Sequence, residues 1–338
     1  MARIPRIWLA CVVQVLSASI AEGALNDCQK SIVQQLTNIF ESSKLTFPFD
    51  SCNNINDGRG YTAGIVGFTT GTHDAYAVIK VYQAKGSHGD EFGPYLGRLK
   101  ELDEGNSNAG STSGLDGFCD AWYKACSNPA FLEAQLDYAD GMYYSPSQKL
   151  ADELGLNSAT GRGQLYDAAI QHGIGPYGDS VNQLITRTRQ SMRSSSLPET
   201  PAQGASEPDW VSKFFEVRTN TLCNPSDGST KKAWCQSVSR VKSYQKLASS
   251  NFNFTGDEEG GVTALDNSGK DLKIKCDTSI WGNYVPGPLP DLSDGPGVSG
   301  RTIGIIVGVI VGILLLGVLA LMIWRKKRRS GYRSYYIR

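Results

Sequence analysis

No CxxC cluster occurs in the 338 residues, and a structural zinc site draws its thiolates from that spacing. A metal centre is therefore not expected. No internal repeat is found. Acidic residues are missing from both ends: none lies in 1–21 and none from Ile303 onward. The formal net charge of zero, 33 Lys and Arg against 33 Asp and Glu, conceals that asymmetry. Arg3 and Arg6 lie in the first stretch and seven basic residues in the last, which leaves 24 basic against 33 acidic residues in 22–302, a net charge of −9. Phosphate contacts need a basic face, so nucleic acid is excluded as the main partner. A cationic ligand suits this charge. The middle is long enough for one large or two small cores, and a chain 40% hydrophobic is not disordered throughout.

Two segments bear on the compartment. Residues 1–21 read as a secretory signal: Arg3 and Arg6 form the basic start, Ile7 to Leu16 is mostly apolar, and Ser19-Ile20-Ala21 offers small residues at both key cleavage positions. Ile303 to Trp324 carries no charge. At about 1.5 Å per residue it reaches roughly 33 Å, enough to cross a bilayer core. Arg325-Lys326-Lys327-Arg328-Arg329 follows at once and places the C-terminus in the cytoplasm. The expectation is a single-pass cell-membrane protein in contact with lipid. Its parts are a signal peptide (1–21), an extracellular domain (22–282), a Pro/Gly-rich stalk (283–302), a transmembrane helix (303–324) and a basic tail (325–338). Gly304, Gly308 and Gly312 have the spacing of close helix pairs and offer a homodimer contact, although glycine is also simply common in spans.

Once Cys11 leaves with the signal, seven cysteines remain, and outside the cell most should form disulfides. Spacing suggests Cys119–Cys126 and Cys223–Cys235. Cys28, Cys52 and Cys276 cannot all pair, so one thiol is left over. Asn253-Phe254-Thr255 is a glycosylation sequon.

Helical periodicity marks Ile32, Leu36, Ile39 and Phe40 behind an N-cap at Asp27, and Trp210, Val211, Phe214 and Phe215 behind Asp209. Phe131, Ala134 and Leu136 suggest another helix, as do Leu165, Ala168, Ala169 and Ile170. Tyr61 to Phe68 is the one convincing strand region. Residues 103–114 and 195–208 read as surface loops. The fold class is mainly α, a helical domain with a small sheet, plus one transmembrane helix.

Few segments could carry chemistry. Glu41 ends the first helix, and Asp57 lies in a turn, Asn56-Asp57-Gly58-Arg59-Gly60, that leads into the strand. Two carboxylates placed so can face each other across a cleft, one to protonate a leaving oxygen and one to activate water. Both are equally ordinary as solvated and turn residues. Asp167 sits inside an apolar run, and Arg218 falls on the apolar face of its helix, four residues after Phe214. Buried charges need partners, and Arg240 is a third candidate. The pattern fits a structural ion pair and a device that tunes a catalytic acid about equally well.

The run Asn56-Asp57-Gly58-Arg59-Gly60-Tyr61-Thr62-Ala63-Gly64-Ile65-Val66-Gly67-Phe68-Thr69-Thr70-Gly71-Thr72-His73-Asp74 closely resembles the chitosanases of glycoside hydrolase family 46. So do Phe40-Glu41-Ser42-Ser43 and Tyr166-Asp167-Ala168-Ala169-Ile170-Gln171-His172-Gly173. The resemblance implies a lysozyme-like fold, two mainly helical lobes around a central cleft, with no metal or organic cofactor. It implies an inverting, internal hydrolysis of β-1,4 bonds between glucosamine units of chitosan. By position, Glu41 matches the general acid, Asp57 the general base and Thr62 the residue that helps hold the water. Ser43, Arg59, Thr72 and Asp74 match substrate-cleft positions, with Asp74 as the ammonium-binding carboxylate. Asp167, Arg218 and Arg240 match a charge network behind the acid. The Glu41–Asp57 loop, the cysteine-bearing segment between Arg218 and Arg240, and the membrane span depart from the family pattern.

A polycation would be drawn to an acidic cleft, and desolvated carboxylates select an ammonium over a neutral acetamide. The leading expectation is a membrane-tethered endo-chitosanase. The alternatives are a catalytically weak chitosan-binding receptor or wall sensor, and a lysozyme-like hydrolase of chitin or peptidoglycan.

Overall fold

Asn26 starts the first helix through a reciprocal pair of bonds. Its side chain accepts from the Gln29 amide, and the Gln29 side chain accepts from the Asn26 amide, each at 2.9 Å. The helix α1, Asp27–Ser42, therefore begins one residue after its cap, and Asp27 lies in its first turn rather than at the cap. The computed structural model describes residues 24–292 except 57, 87–89, 106–107, 257–260, 281–283 and 291. The signal, most of the stalk, the span with its glycines, and the tail lie outside the described residues. No described helix is long and apolar enough to cross a membrane.

After α1 come three short strands, β1 (Cys52–Asn54), β2 (Tyr61–Ala63) and β3 (Phe68–Thr69), paired antiparallel in that order. Next are α2 (Asp74–Ala84), α3 (Leu96–Asp103), α4 (Phe118–Ala125) and α5 (Pro129–Ala139). A single π-turn, Asp140–Tyr144, joins α5 to α6 (Ser145–Leu154). The helices α7 (Ala159–His172), α8 (Val181–Ser194), α9 (Glu207–Cys223), α10 (Lys231–Gln236) and α11 (Val238–Ser250) follow. The hairpin β4 (Gly261–Leu265) and β5 (Asp271–Lys275) comes after them.

Two hydrophobic cores result. One gathers Ile32, Leu36, Phe40, Leu165, Phe214 and Tyr244 from α1, α7, α9 and α11. The other gathers Phe68, Val78, Phe92, Phe118, Trp122 and Phe131 around the small sheet, α2, α4 and α5. The rod formed by α5, the π-turn and α6 runs from the second core into the first, and Val66 packs on both.

Several expectations shift. The strand region from Tyr61 to Phe68 is a hairpin, because Gly64 and Gly67 adopt φ of 72° and 70° and reverse the chain. A Cβ on Gly64 would lie 2.4 Å from Gln135 Oε1 and 2.9 Å from the Trp122 ring, so the turn admits no side chain there. Ser206, not Asp209, is the cap of α9; Glu207 and Asp209 occupy the first turn, where carboxylates favour the helix dipole. The expected surface loop 195–208 holds as far as Ser206, interrupted by one 3-10 turn at Pro201–Gln203, and α9 takes its last two residues. The expected stalk begins late: Tyr284 Oη and the Gly287 amide both donate to the buried Asp137 at 2.8 Å, and Leu289 packs on Gly141.

The cysteines correct one pairing. Cys223–Cys235 forms as its spacing suggests, but Cys119 joins Cys52 rather than Cys126, and Cys28 joins Cys276. Cys119 and Cys126 sit on one helical segment nearly two turns apart, beyond the reach of a disulfide. Cys126 is the free thiol instead; its Sγ donates to the Phe49 carbonyl at 3.2 Å.

Candidate active site

Ser43 ends α1 in the left-handed conformation, at φ 59°, which leaves Glu41 in the last helical turn. The Glu41 side chain is only 8% exposed, and its Oε1 lies 2.9 Å from Arg240 Nη1. That guanidinium also lies over the Phe40 ring. Its Nη2 and Nε bond both oxygens of Asp167, at 2.8 and 3.0 Å. Arg218 Nη2 reaches the same carboxylate at 2.7 Å. The side chains of Asp167 and Arg218 are fully buried and that of Arg240 nearly so. The charges suspected from sequence therefore form one continuous network, and it ends on Glu41.

The network sets opposite acidities on its two carboxylates. Burial raises Glu41 above the ordinary range, and the opposing pull of Arg240 does not cancel it. Burial would raise Asp167 too, but Arg240 and then Arg218 outweigh it and hold that carboxyl at about 2. Asp167 is thus a permanent anion. It neutralises much of the field that Arg240 would otherwise impose on Glu41.

Two participants were not singled out from sequence. Gln171 Oε1 accepts from Arg218 Nη2 at 2.5 Å while its Nε2 donates to Ser237 at 2.7 Å. His172 Nε2 accepts from Arg218 Nε at 3.3 Å; burial, then Arg218, keep the imidazole neutral and able to accept. Gln171 lies four residues after Asp167, on the same helix face, and that spacing was the available signal.

Opposite Glu41, β1 and β2 form the other wall of a cavity of about 650 Å³. Glu41, Ser42, Asn53, Arg59, Thr62 and Tyr123 are among its lining residues. Thr62 lies on β2, and its buried Oγ1 has no hydrogen-bond partner among the described residues. An unpaired buried hydroxyl is costly unless a water or ligand completes it. Asp57 lies outside the described residues. Its neighbours Asn56 and Gly58 have φ of 56° and 83°.

Not every expected cleft residue joins this cavity. Ser43 is exposed and its Oγ accepts from Asn267 at 3.1 Å; its neighbour Ser42 lines the cavity instead. Thr72 and Asp74 form a separate group at the start of α2. Asp74 accepts from the Thr69 amide at 2.8 Å, Thr72 Oγ1 at 3.0 Å and the Ala75 amide at 3.2 Å. Burial nevertheless lifts its pKa to about 6. Burial, then the charges of Asp74 and Glu41, raise the phenol of Tyr143 in the π-turn, with Arg59 opposing them. Helical periodicity could not find it, because the π-turn changes which residues face inward. Asn253 is exposed, and its Oδ1 accepts from the Ala159 amide at 3.3 Å. Among the described residues, no three His, Cys, Asp or Glu side chains gather as metal ligands.

A helical domain with a small sheet, and a buried carboxyl of raised pKa on a cavity walled by a hairpin, have the makings of a glycosidase, and the relatives of the chain show that class. Residues 35–256 match the profile of glycosyl hydrolase family 46, and the chain belongs to that family. It is 37% identical over 243 residues to a chitosanase of Bacillus subtilis strain 168, covering 72% of this chain and 85% of that protein. A chitosanase of Streptomyces sp. strain N174 is 29% identical over 236 residues, covering 64% of this chain and 81% of that protein. Among solved structures, a mutant chitosanase of Bacillus subtilis MY002 complexed with 6 GlcN has a TM-score of 0.64 at 35% identity. It covers 75% of this chain and all of that one. The family 46 chitosanase of Gynuella sunshinyii, in complex with chitotetraose, has a TM-score of 0.64 at 31% identity, over 74% of this chain and 99% of that one.

Proposed function

We propose that this chitosanase-type hydrolase cuts β-1,4 bonds between glucosamine units inside chitosan chains, with inversion, while tethered to the cell surface by residues 303–324. The observation that carries the reading is the link from Glu41 through Arg240 to Asp167, behind a cavity that Glu41 shares with Arg59 and Thr62. Glu41 is the general acid. Burial favours its protonated form, and it gives its proton to the glycosidic oxygen as the C–O bond breaks. Asp57 is the general base that takes a proton from the attacking water, and Thr62 Oγ1, without a hydrogen-bond partner among the described residues, helps hold that water. In inverting enzymes the water fits between carboxyl groups roughly 6.5–9.5 Å apart. Ionised Glu41 is left beside Arg240, which stabilises it until solvent returns the proton. Ser43, Arg59, Thr72 and Asp74 contact the substrate, Asp74 by pairing with an ammonium group. The complexes of relatives with 6 GlcN and with chitotetraose support this substrate class.

A reducing-end assay on chitosan tests the reading. Wild-type protein should release ends and lose molecular weight early, as internal cutting requires. Glu41→Gln and Asp57→Asn should each lower the rate by about 10²–10⁴. A wild type that binds chitosan without releasing ends would overturn it.

A further inference from the structure

Tyr123 is 68% exposed, yet it lines the same cavity as Glu41, Arg59 and Thr62. The other face of α4 buries Phe118, Trp122 and Ala125, so packing does not account for Tyr123. Its ring and hydroxyl have no partner among the described residues. What holds it at the cavity is covalent. Cys119 lies one turn earlier on the same helix face, and its disulfide to Cys52 fastens α4 to a strand that also lines the cavity. Asp50 is brought to the same place. Trp122 Nε1, Cys126 Sγ and Gln135 Nε2 all donate to the Phe49 carbonyl, at 2.9, 3.2 and 3.2 Å. The residue before Asp50 is thereby bound to Trp122, the neighbour of Tyr123, and to Cys126 at the end of the same helix. Asp50 is exposed, lines the cavity and has no cationic partner among the described residues. Lys44, also on the lining, follows the end of α1, the element that carries Glu41.

We propose that Tyr123 and Asp50 form an outer subsite for one glucosamine unit, whose ring stacks on the phenol while its ammonium meets the carboxylate. This assignment rests on the chitosan reading above. An aromatic face offers a flat apolar surface to the sugar and an attractive quadrupole to the cation, and the carboxylate adds selectivity for the amine over the acetamide. Lys44, on the same lining, disfavours an ammonium placed beside it and so narrows where the amine can sit.

The test is a binding titration of full-chain protein in the Glu41→Gln background, with glucosamine hexamer and trimer as probes. Tyr123→Ala should lower the hexamer-to-trimer affinity ratio about five- to ten-fold, and Tyr123→Trp should restore it. Asp50→Asn should lower the ratio for the glucosamine hexamer and leave that of its N-acetylated counterpart as it was. An unchanged ratio in Tyr123→Ala, or equal losses for hexamer and trimer, would overturn the subsite. Hydrolysis is scored separately on the Glu41 protein. A chain that shows the length-dependent loss but releases no reducing ends sinks the hydrolase reading and keeps the subsite. One that releases ends with an unchanged ratio does the reverse.

Discussion

Arg240 bonds two carboxylates at once, with Nη1 at 2.9 Å from Glu41 and Nη2 at 2.8 Å from Asp167. One cation therefore serves an acid that must gain and lose a proton and an anion that never gains one. Replacing Asp167 by Asn would leave two buried guanidinium groups facing Glu41 with no permanent counter-charge. Their combined field would favour ionised Glu41 and lower its pKa. The basic limb of the pH–rate profile should move toward acid by about one unit, and the rate near pH 6 should fall. Stability should drop by roughly 3–5 kcal/mol, because a buried charge pair is broken. Paired pH–kcat profiles and denaturant melts check both effects. A purely structural network would lose the stability without moving the limb.

Asp167 also makes a stability claim. Its folded pKa, about 2, is below the ordinary aspartate value of 3.8. Its contribution is thus fully present above pH ~4 and lost as pH falls toward 2, worth about 2 kcal/mol. Asp74 has the opposite sign. Its folded pKa, about 6, is above 3.8, so the folded state favours the protonated form. The stability that Asp74 contributes is present below pH ~4 and lost as pH rises through 6, on the order of 2–3 kcal/mol. Asp74→Asn should flatten the stability curve between pH 4 and 6 and steepen nothing below it. Bound ammonium substrate should pull the Asp74 pKa down, so KM in the wild type should worsen below pH 6. Urea melts at half-unit pH steps, with KM from the same series, read this out.

Much of this was legible in the sequence. Ile32, Leu36, Ile39 and Phe40 announced α1, and a charge inside an apolar run announced Asp167 as a partner-seeking group. Arg218 and Arg240 were named as its candidate partners, but that Arg240 bonds Glu41 and Asp167 at once was not legible, because it reaches them from a distant helix and local spacing carries no such information. Cys119 misled for a related reason. Closeness in sequence favoured Cys126, but on a helix the geometry forbids that bond, and the true partner, Cys52, comes from a strand 67 positions away. Tyr143 was invisible because one extra residue in the turn rotates its facing. Thr72 and Asp74, expected at the substrate cleft, group with Thr69 and do not line the Glu41 cavity.

The Cys52–Cys119 bond ties the β1 wall of the cavity to α4. Its loop of 67 residues predicts a stabilisation of about 4 kcal/mol from lost unfolded-chain entropy. Cys52→Ser with Cys119→Ser should lower the melting temperature by roughly 8–15 °C for a domain of this size. Cys126 should stay silent throughout. Burial, then the Asp50 carboxylate, push its thiol up to about 12, so a thiol reagent at pH 8 should meet almost no thiolate until the protein unfolds. Rapid labelling of Cys126 in the native wild type would contradict this.

Asp137 makes the sharpest claim about where the folded domain ends. The buried carboxylate accepts from Lys85 Nζ at 2.6 Å, Tyr284 Oη at 2.8 Å and the Gly287 amide at 2.8 Å. Two of those three donors belong to the Pro/Gly-rich segment, and Leu289 in the same segment packs on Gly141 of the π-turn. Asp137→Ala would leave Lys85 only its longer pair with Glu133, at 3.6 Å, and release Tyr284 and Gly287 together. A loss of about 3 kcal/mol is expected, since several charge-assisted bonds disappear from a buried site. Residues 284–290 should become open to proteases and to fast amide exchange, while α1 and the Glu41 network keep their protection. Tyr284→Phe, which removes one bond and leaves the carboxylate paired to Lys85, should cost only about 1 kcal/mol. If that segment already exchanges freely in the wild type, the domain ends near 282 and the contact to Asp137 does not hold in solution.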